Sequence, residues 1–501
     1  MGLAGKWIHQ HVRDARTGAG LAASVSLTIW KRQWEVYDLV GDRTGCQSIA
    51  QRIAALAGRH PVYSMDACFY GSAVELQQGR FSEALARAEQ GMAQAIAAGR
   101  ADQVLGMRQQ LAACLYQLGR LTESLDQWQL ALDLCRQTGG GDQVAGALSS
   151  LGLIYWKTGD YARALEVLEQ AHAAYLRQDD QQKAARTRST MANVLLGTDQ
   201  VAKALDYYQE ALAVSRRIGD ALLRSMILNN IGAIHFTQGR FSQAVSCYQE
   251  GLRLDQQLGN LPSQAKKLNN LGIMMATTGE NSQAREYVEQ GLALDRTTGN
   301  VDGQMAKCGN LCSIWLDLGD TAKARQYIDQ GIALARQIGA KHYLSQFRAL
   351  QSGLLLGQGL REQALEAGRE SMATAREIGG RSDLVRALAV LAKIYLEGDD
   401  RERACECSTE ALEIVRSGEH FEVEVQGVHF MHYRTLAALG RQQEARQHLE
   451  TARRIVWESS RGIVDDKARE YFLHHEQVNR EILREWEGTG APDQAAGAAP
   501  E

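Results

Sequence analysis

Residues 228–260 read LNNIGAIHFTQGRFSQAVSCYQEGLRLDQQLGN, and residues 268–300 read LNNLGIMMATTGENSQAREYVEQGLALDRTTGN. Both open on Leu-Asn-Asn, carry Gly at the fifth and twelfth positions and close on Gly-Asn, 40 residues apart. Outward from this pair the same step recurs. One glycine series runs Gly79, Gly119, Gly159, Gly239, Gly279, Gly319 and Gly359. Its gaps fall at Asp199 and Asp399, beside Gly197 and Gly398, and at Gly440, one residue late. A second series lies halfway between, at Gly99, Gly139, Gly219, Gly259, Gly299, Gly339 and Gly379.

Three columns of small residues keep the same step. Five residues after the first series come Ala84, Ser124, Ala164, Ala204, Ala244, Ala284, Ala324, Ala364 and Ala404. A second column runs from Gly91 to Ala411, and a third from Ser72 to Ala392 through Gly152, Gly232 and Gly272. Between glycines lie segments of about 18 residues whose apolar positions follow helical spacing, so each unit reads as helix A, turn, helix B, turn. Glycine just past a helix takes the left-handed cap that other residues resist. The small columns mark where A crosses B and where B meets the next A, since a larger side chain there would push the axes apart. One helix pair cannot bury its apolar face alone, so neighbours must stack. The expected class is all-α, an α-solenoid of antiparallel helix pairs.

Composition agrees. Of 501 residues only four are proline and 6% are aromatic, while helix formers abound. The net charge of -4 gives no overall pull toward nucleic acid or an anionic membrane. Nine cysteines are scattered without a paired framework, and no apolar run reaches the roughly 18 residues of a membrane span. Residues 21–30, LAASVSLTIW, are too short and too rich in hydroxyls for a signal peptide. These features describe a cytoplasmic helical protein without a membrane association.

The columns resemble the tetratricopeptide repeat: Gly232 and Gly272 in helix A, the turn glycine, and Ala244 and Ala284 in helix B match its pattern in place. The chain departs from the 34-residue form, lacking the proline that ends helix B and using a longer helix and a Gly-Asp or Gly-Asn turn. That variety is similar to the repeats of kinesin light chains and of bacterial regulators. The resemblance implies a right-handed superhelix. It divides the chain into an extension over 1–20, a degenerate helical cap over 21–59, about ten repeats over 60–458, capping helices over 459–486 and a disordered tail over 487–501. The segment 462–486 is also similar to closing helices behind repeat arrays in bacterial signalling ATPases.

Motifs for chemistry are sparse. No phosphate loop, HExxH, GxSxG or CxxC occurs. Cys308 and Cys312 share a helix face, but Cys312 sits in a small-residue column and reads as core. Cys405, Cys407, His420, His429 and His432 allow a metal site without their spacing demanding one. Neither catalysis nor a cofactor is expected.

In the family, helix A lines a concave groove. Counting from the small residue of helix A, positions six and three before, one after and four after should face it. The candidate groove residues are therefore Trp156, Arg186, Asn193, Asn229, Phe236, Lys266, Asn269, Arg386 and Lys393. A carboxamide both donates and accepts, which suits gripping a peptide main chain. The second asparagine of each pair, Asn230 and Asn270, with Asn310 in the next unit, should point to the neighbouring helix and bond backbone at the packing seam. Across the A-helix windows from 101–118 to 381–398, 14 Lys and Arg stand against 6 Asp and Glu. A basic wall with apolar patches favours an acidic-amphipathic protein or peptide partner. Nucleic acid is disfavoured because stacking aromatics are few. The expected function is a protein-interaction scaffold. The alternative is the sensor arm of a bacterial signalling system that controls an ATPase, cyclase or transcription effector.

Overall fold

A computed structural model describes residues 18–39, 43–138, 140–417 and 424–489. The expectations for most of the N-terminal extension, for Gly139, for His420 and for most of the C-terminal tail lie outside the described residues. Those residues form α-helices joined by short turns, with one 3-10 turn at Pro61–Tyr63 and no strand. The chain divides into two compact units, Met1–Ile218 and Gly219–Glu501.

In the first unit, two helices, Gly18–Leu39 and Arg43–Arg59, precede the repeats. They bury Leu27, Trp34, Cys46, Ile49 and Ile53 in one core with Tyr63 and Val74. Four helix pairs follow, from Ser64–Gln77 with Phe81–Ala97 to Gln181–Gly197 with Val201–Ile218. The second unit begins with Ala221–Thr237 and Phe241–Leu258 and carries six pairs, the last being Val425–Ala438 with Gln442–Arg461. The short helices Asp466–His474 and Gln477–Gly488 close it.

The turns form for the reason the glycines suggest. Gly259, Gly299, Gly339 and Gly379 follow their helices at φ between 65° and 70°. Where glycine is missing, Asp179, Asp199 and Asp399 take the same conformation at φ 56°, 58° and 59°, and a short polar side chain tolerates it best. The next residue caps the following helix. Asp160, Asp220, Asn260, Asn300 and Asp320 accept from the backbone N–H three residues on, at 2.9–3.3 Å.

Every member of the three small columns is buried. The columns meet as expected. Ser72 Oγ donates to the Ala84 carbonyl at 2.8 Å, and Ser352 Oγ to the Ala364 carbonyl at 2.6 Å, so A and B cross there. A Cβ on Gly232 would lie 2.8 Å from the Tyr248 ring, and one on Gly272 2.3 Å from Val288. At the seam to the next repeat, a Cβ on Gly331 would fall 2.2 Å from the Phe347 ring. Cys308 and Cys312 lie in the core, where burial pushes their thiols up to about 11 and about 12.

The C-terminal helices do more than cap the last repeat. Residues 462–476 return to the first repeats of their own unit, where the Gly239 carbonyl accepts from Val464 N–H at 3.0 Å and Asp465 N–H at 3.3 Å. Ser242 Oγ donates to Asp465 Oδ2 at 2.8 Å, and Lys467 pairs with Glu280 at 2.5 Å. Ile463 and Ala468 are buried in one cluster with Phe241, Tyr248, Leu271 and Met274.

Candidate partner-binding groove

Within the second unit, the A helices Val301–Asp317, Lys341–Gly357, Arg381–Glu397 and Val425–Ala438 enclose a cavity of about 910 Å3. Its wall repeats one register. Ala306, Gly309 and Ser313 are followed 40 residues later by Gln346, Ala349 and Gly353, and then by Arg386, Ala389 and Lys393. These are the positions six before, three before and one after the small residue of each A helix. Tyr343, Leu350, Val390 and Met431 give apolar wall between them, and Val478 of the closing helix bounds one side.

The polar part has a buried anchor. Asp383, 2% exposed, accepts from Arg386 Nη1 at 3.1 Å and pairs with His342 Nδ1. Gln346 Nε2 lies 2.9 Å from His342 Nε2. A carboxylate without solvent needs such partners, and meeting that need holds His342, Gln346 and Arg386 on one wall. Burial pushes the Tyr343 hydroxyl up, and Asp302 adds to the shift.

Of the nine residues expected to line a groove, this cavity brings together Arg386 and Lys393. The others stand elsewhere. Trp156 is half-buried against a core of Ala164, Leu168, Met191 and Val194, with Lys157 Nζ 4.8 Å from its ring. Arg186 and Lys266 are exposed. Asn193 is not presented outward alone, because the buried Tyr208 hydroxyl donates to its Oδ1. Phe236 lies tilted against Phe241, ring centroids 5.6 Å apart, and packs against the cluster that holds Ile463 and Ala468.

The asparagines form a ladder between consecutive A helices. Asn270 Nδ2 donates to Asn229 Oδ1 at 3.3 Å, and Asn310 Nδ2 to Asn269 Oδ1 at 2.8 Å. Asn270 and Asn310 do face the neighbouring A helix, but each donates to a side chain there rather than to backbone. Asn229, 9% exposed, is drawn into the same seam. Sequence register alone could not reveal this, since the partner lies 41 residues away.

The basic excess of the A helices is also partly spent internally. Arg188 pairs with Glu210, Arg224 with Glu250 and Arg348 with Glu370, all on B helices. Lys267 and Lys307, 1% and 4% exposed, reach down to buried Asp255 and Asp295 at 2.6 and 2.5 Å. Among the described residues, Cys405, Cys407, His429 and His432 belong to no group of three or more that could hold a metal ion. His432 Nδ1 is 2.9 Å from Ser408 Oγ, His429 Nδ1 is 3.0 Å from His448 Nδ1, and Cys405 Sγ lies 3.9 Å from Thr409 Oγ1. Burial pulls His429 and His432 down to about 4, with His448 and nearby arginines adding to the shift. Among the described residues no helix is long and apolar enough to cross a membrane.

A sequence profile of the tetratricopeptide repeat matches residues 103–177, 183–257 and 223–297. No curated protein matches the sequence significantly. Among solved structures, one similar fold is a signal transduction ATPase with numerous domains, carrying a tetratricopeptide-repeat sensor, from Pyrococcus horikoshii. It is 13% identical over 81% of this chain, at a TM-score of 0.51, and the match spans 55% of that chain. Aspartyl phosphate phosphatase F from Bacillus subtilis is 14% identical, covering 72% of this chain and 97% of its own, at 0.47. The apo quorum sensor NprR from B. thuringiensis is 14% identical, covering 71% and 99%, at 0.46. Helix pairs packed as expected, left-handed turns at a 40-residue period and the matched profile agree: the chain carries tetratricopeptide repeats, matched over residues 103–177 and 183–297.

Proposed function

We propose that the chain is a non-catalytic scaffold whose A-helix groove holds a peptide or helical segment of a partner protein. One observation carries the reading. The cavity of about 910 Å3 is lined at the same three positions by successive A helices, which present Arg386 and Lys393 beside apolar wall. Peptide-binding sites combine these elements: apolar area supplies affinity, and a few placed polar groups set orientation. With Asp383 neutralising part of the charge, the two cations suit a partner carrying one or two carboxylates on an amphipathic segment rather than a strongly acidic one. The test is affinity capture from host lysate with wild type and an Arg386→Glu/Lys393→Glu variant of unchanged circular dichroism. A partner held by the wild type and lost by the variant supports the groove; one held equally by both sinks it.

A second reading has its own support. The fold likeness to the Pyrococcus signalling ATPase with a repeat sensor extends over 81% of this chain. As a sensor arm, the chain would change the rate of an effector ATPase, cyclase or transcription factor when mixed with it. An effector encoded beside this chain whose activity ignores its addition would exclude that role.

A further inference from the structure

Helix Gly18–Leu39 packs one side on its own chain. Ala23, Leu27 and Trp34 lie in a core with Cys46, Ile49 and Ile53, and Trp30 and Tyr37 lean against it. The opposite side is apolar as well. Val25, Ile29 and Val36 are 52%, 51% and 58% exposed, and with exposed Arg32 they form one stripe at steps of four, three and four residues. That alternation is the seam along which two helices meet in a coiled coil. Ile29, Arg32, Gln33 and Val36, at i, i+3, i+4 and i+7, line one concavity on this face. Four residues so spaced make the hole that a side chain of a facing helix fills.

A helix on the outside of a repeat stack normally shows water a polar face. The closing helix Gln477–Gly488 does so, with Arg484, Glu485 and Glu487 exposed. Helix Gly18–Leu39 instead shows three large aliphatic side chains in a row. Other aliphatics as exposed, such as Ile96, Leu176 and Val464, stand singly on separate segments, as single surface apolar residues commonly do.

Charge and pattern select the occupant. The one ion of the stripe, Arg32, pairs with Glu35 at 3.0 Å, so the face is close to neutral and draws neither an acidic nor a basic partner. The stripe is complementary to itself when reversed. With two copies laid antiparallel about a point between Ile29 and Arg32, Ile29 of each enters the hole of the other and Val25 meets Val36. Each Arg32 then lies beside an isoleucine. Parallel helices would set Arg32 against Arg32 in one layer, with like charges face to face.

We propose that this face is a homodimer interface, in which two copies of the chain pair antiparallel through helix Gly18–Leu39 about a two-fold axis. Such a contact is used up by one partner, so assembly stops at two. One helix of 22 residues from each copy makes a small interface, and the dimer should dissociate at roughly micromolar concentration. No residue of the stripe lines the groove, so the proposal stands or falls apart from the groove reading.

Sedimentation velocity on the full chain, from low to high micromolar protein, tests it. The mass should rise toward twice that of the monomer. An Ile29→Lys/Val36→Lys variant of unchanged circular dichroism should weaken association by about tenfold or more, whereas Ile96→Lys, at an equally exposed isoleucine elsewhere, should leave it unchanged. A wild type that stays monomeric throughout overturns the proposal, whether residues 1–17 or nothing covers the face. A dimer that survives the double substitution overturns it too. Cysteine pairing reads the orientation without relying on loss. Val25→Cys chains mixed with Val36→Cys chains should cross-link under mild oxidant above the wild-type background, and neither should cross-link with itself. Self-linking of each variant alone overturns the antiparallel arrangement.

Discussion

Lys267 and Lys307 occupy a position that other repeats fill with Met107, Ile227 or Phe347, directly beneath a glycine or small residue of the preceding B helix. The aspartates they reach, Asp255 and Asp295, stand where other repeats place Cys135, Tyr175 or Ala335. Ser225 Oγ adds a bond to Asp255 at 2.6 Å, Ser263 Oγ accepts from Lys267 at 3.0 Å, and Asn300 donates to Asp295 at 2.9 Å. Burial pulls the Lys267 ammonium down, with Asp255 opposing. Such a pair contributes little over an apolar contact, yet half of it alone is costly. Asp255→Ala should lower stability by about 3–5 kcal/mol, whereas Asp255→Leu/Lys267→Met should come within about 1 kcal/mol of wild type; urea midpoints of the two variants decide. Gly331→Ala, whose Cβ meets the Phe347 ring, should cost about 2 kcal/mol by overpacking.

At the scale of elements, two turns of equal geometry serve different ends. Gly239 and Gly259 both have φ of 65°, but a Cβ at Gly259 meets open space while one at Gly239 strikes Gly462 and Ile463. Gly259→Ala should cost only the left-handed strain, about 1–2 kcal/mol. Gly239→Ala should cost more and raise exchange at 462–476, where Gly259→Ala leaves that segment protected. Both glycines belong to the repeat and looked alike in sequence, so the second duty of Gly239 carried no signal of its own. The helix pairs were legible because each small-residue column recurs nine times and each glycine series seven times. The asparagine ladder was half legible: the pairs were visible, but their 41-residue partnering depends on how far one A helix is shifted against the next.

Across the second unit, stability in a repeat array is normally a sum of nearest-neighbour terms. Segment 462–476 departs from that by bonding residues 187 and 223 positions away. Deleting 462–501 should therefore broaden the urea transition of this unit, and a transition of unchanged slope would show that the return contact adds no cooperativity. Titration adds two opposing trends. His429 and His432 sit near 4 when folded against an ordinary 6.5, so the unfolded chain takes up protons first and stability declines as pH falls from about 6.5 to about 4. Glu476 sits near 7 against an ordinary 4.5, so stability declines as pH rises from about 4.5 to about 7. Replacing His429 and His432 with leucine should flatten the acid limb, and Glu476→Gln the neutral one, in melts recorded across that range.

The sequence by itself determined the helix pairs, their turns and the faces on which they pack, because periodicity and small side chains act locally and recur in every repeat. It also marked the register that lines the cavity, including Arg386 and Lys393. Only the tertiary structure decided which of those positions stay open. Asn229 is taken up by its neighbour, Phe236 by the returning segment, and much of the A-helix positive charge by acids on B helices. These outcomes rest on single, non-repeating contacts between residues far apart in the chain, and no period records them.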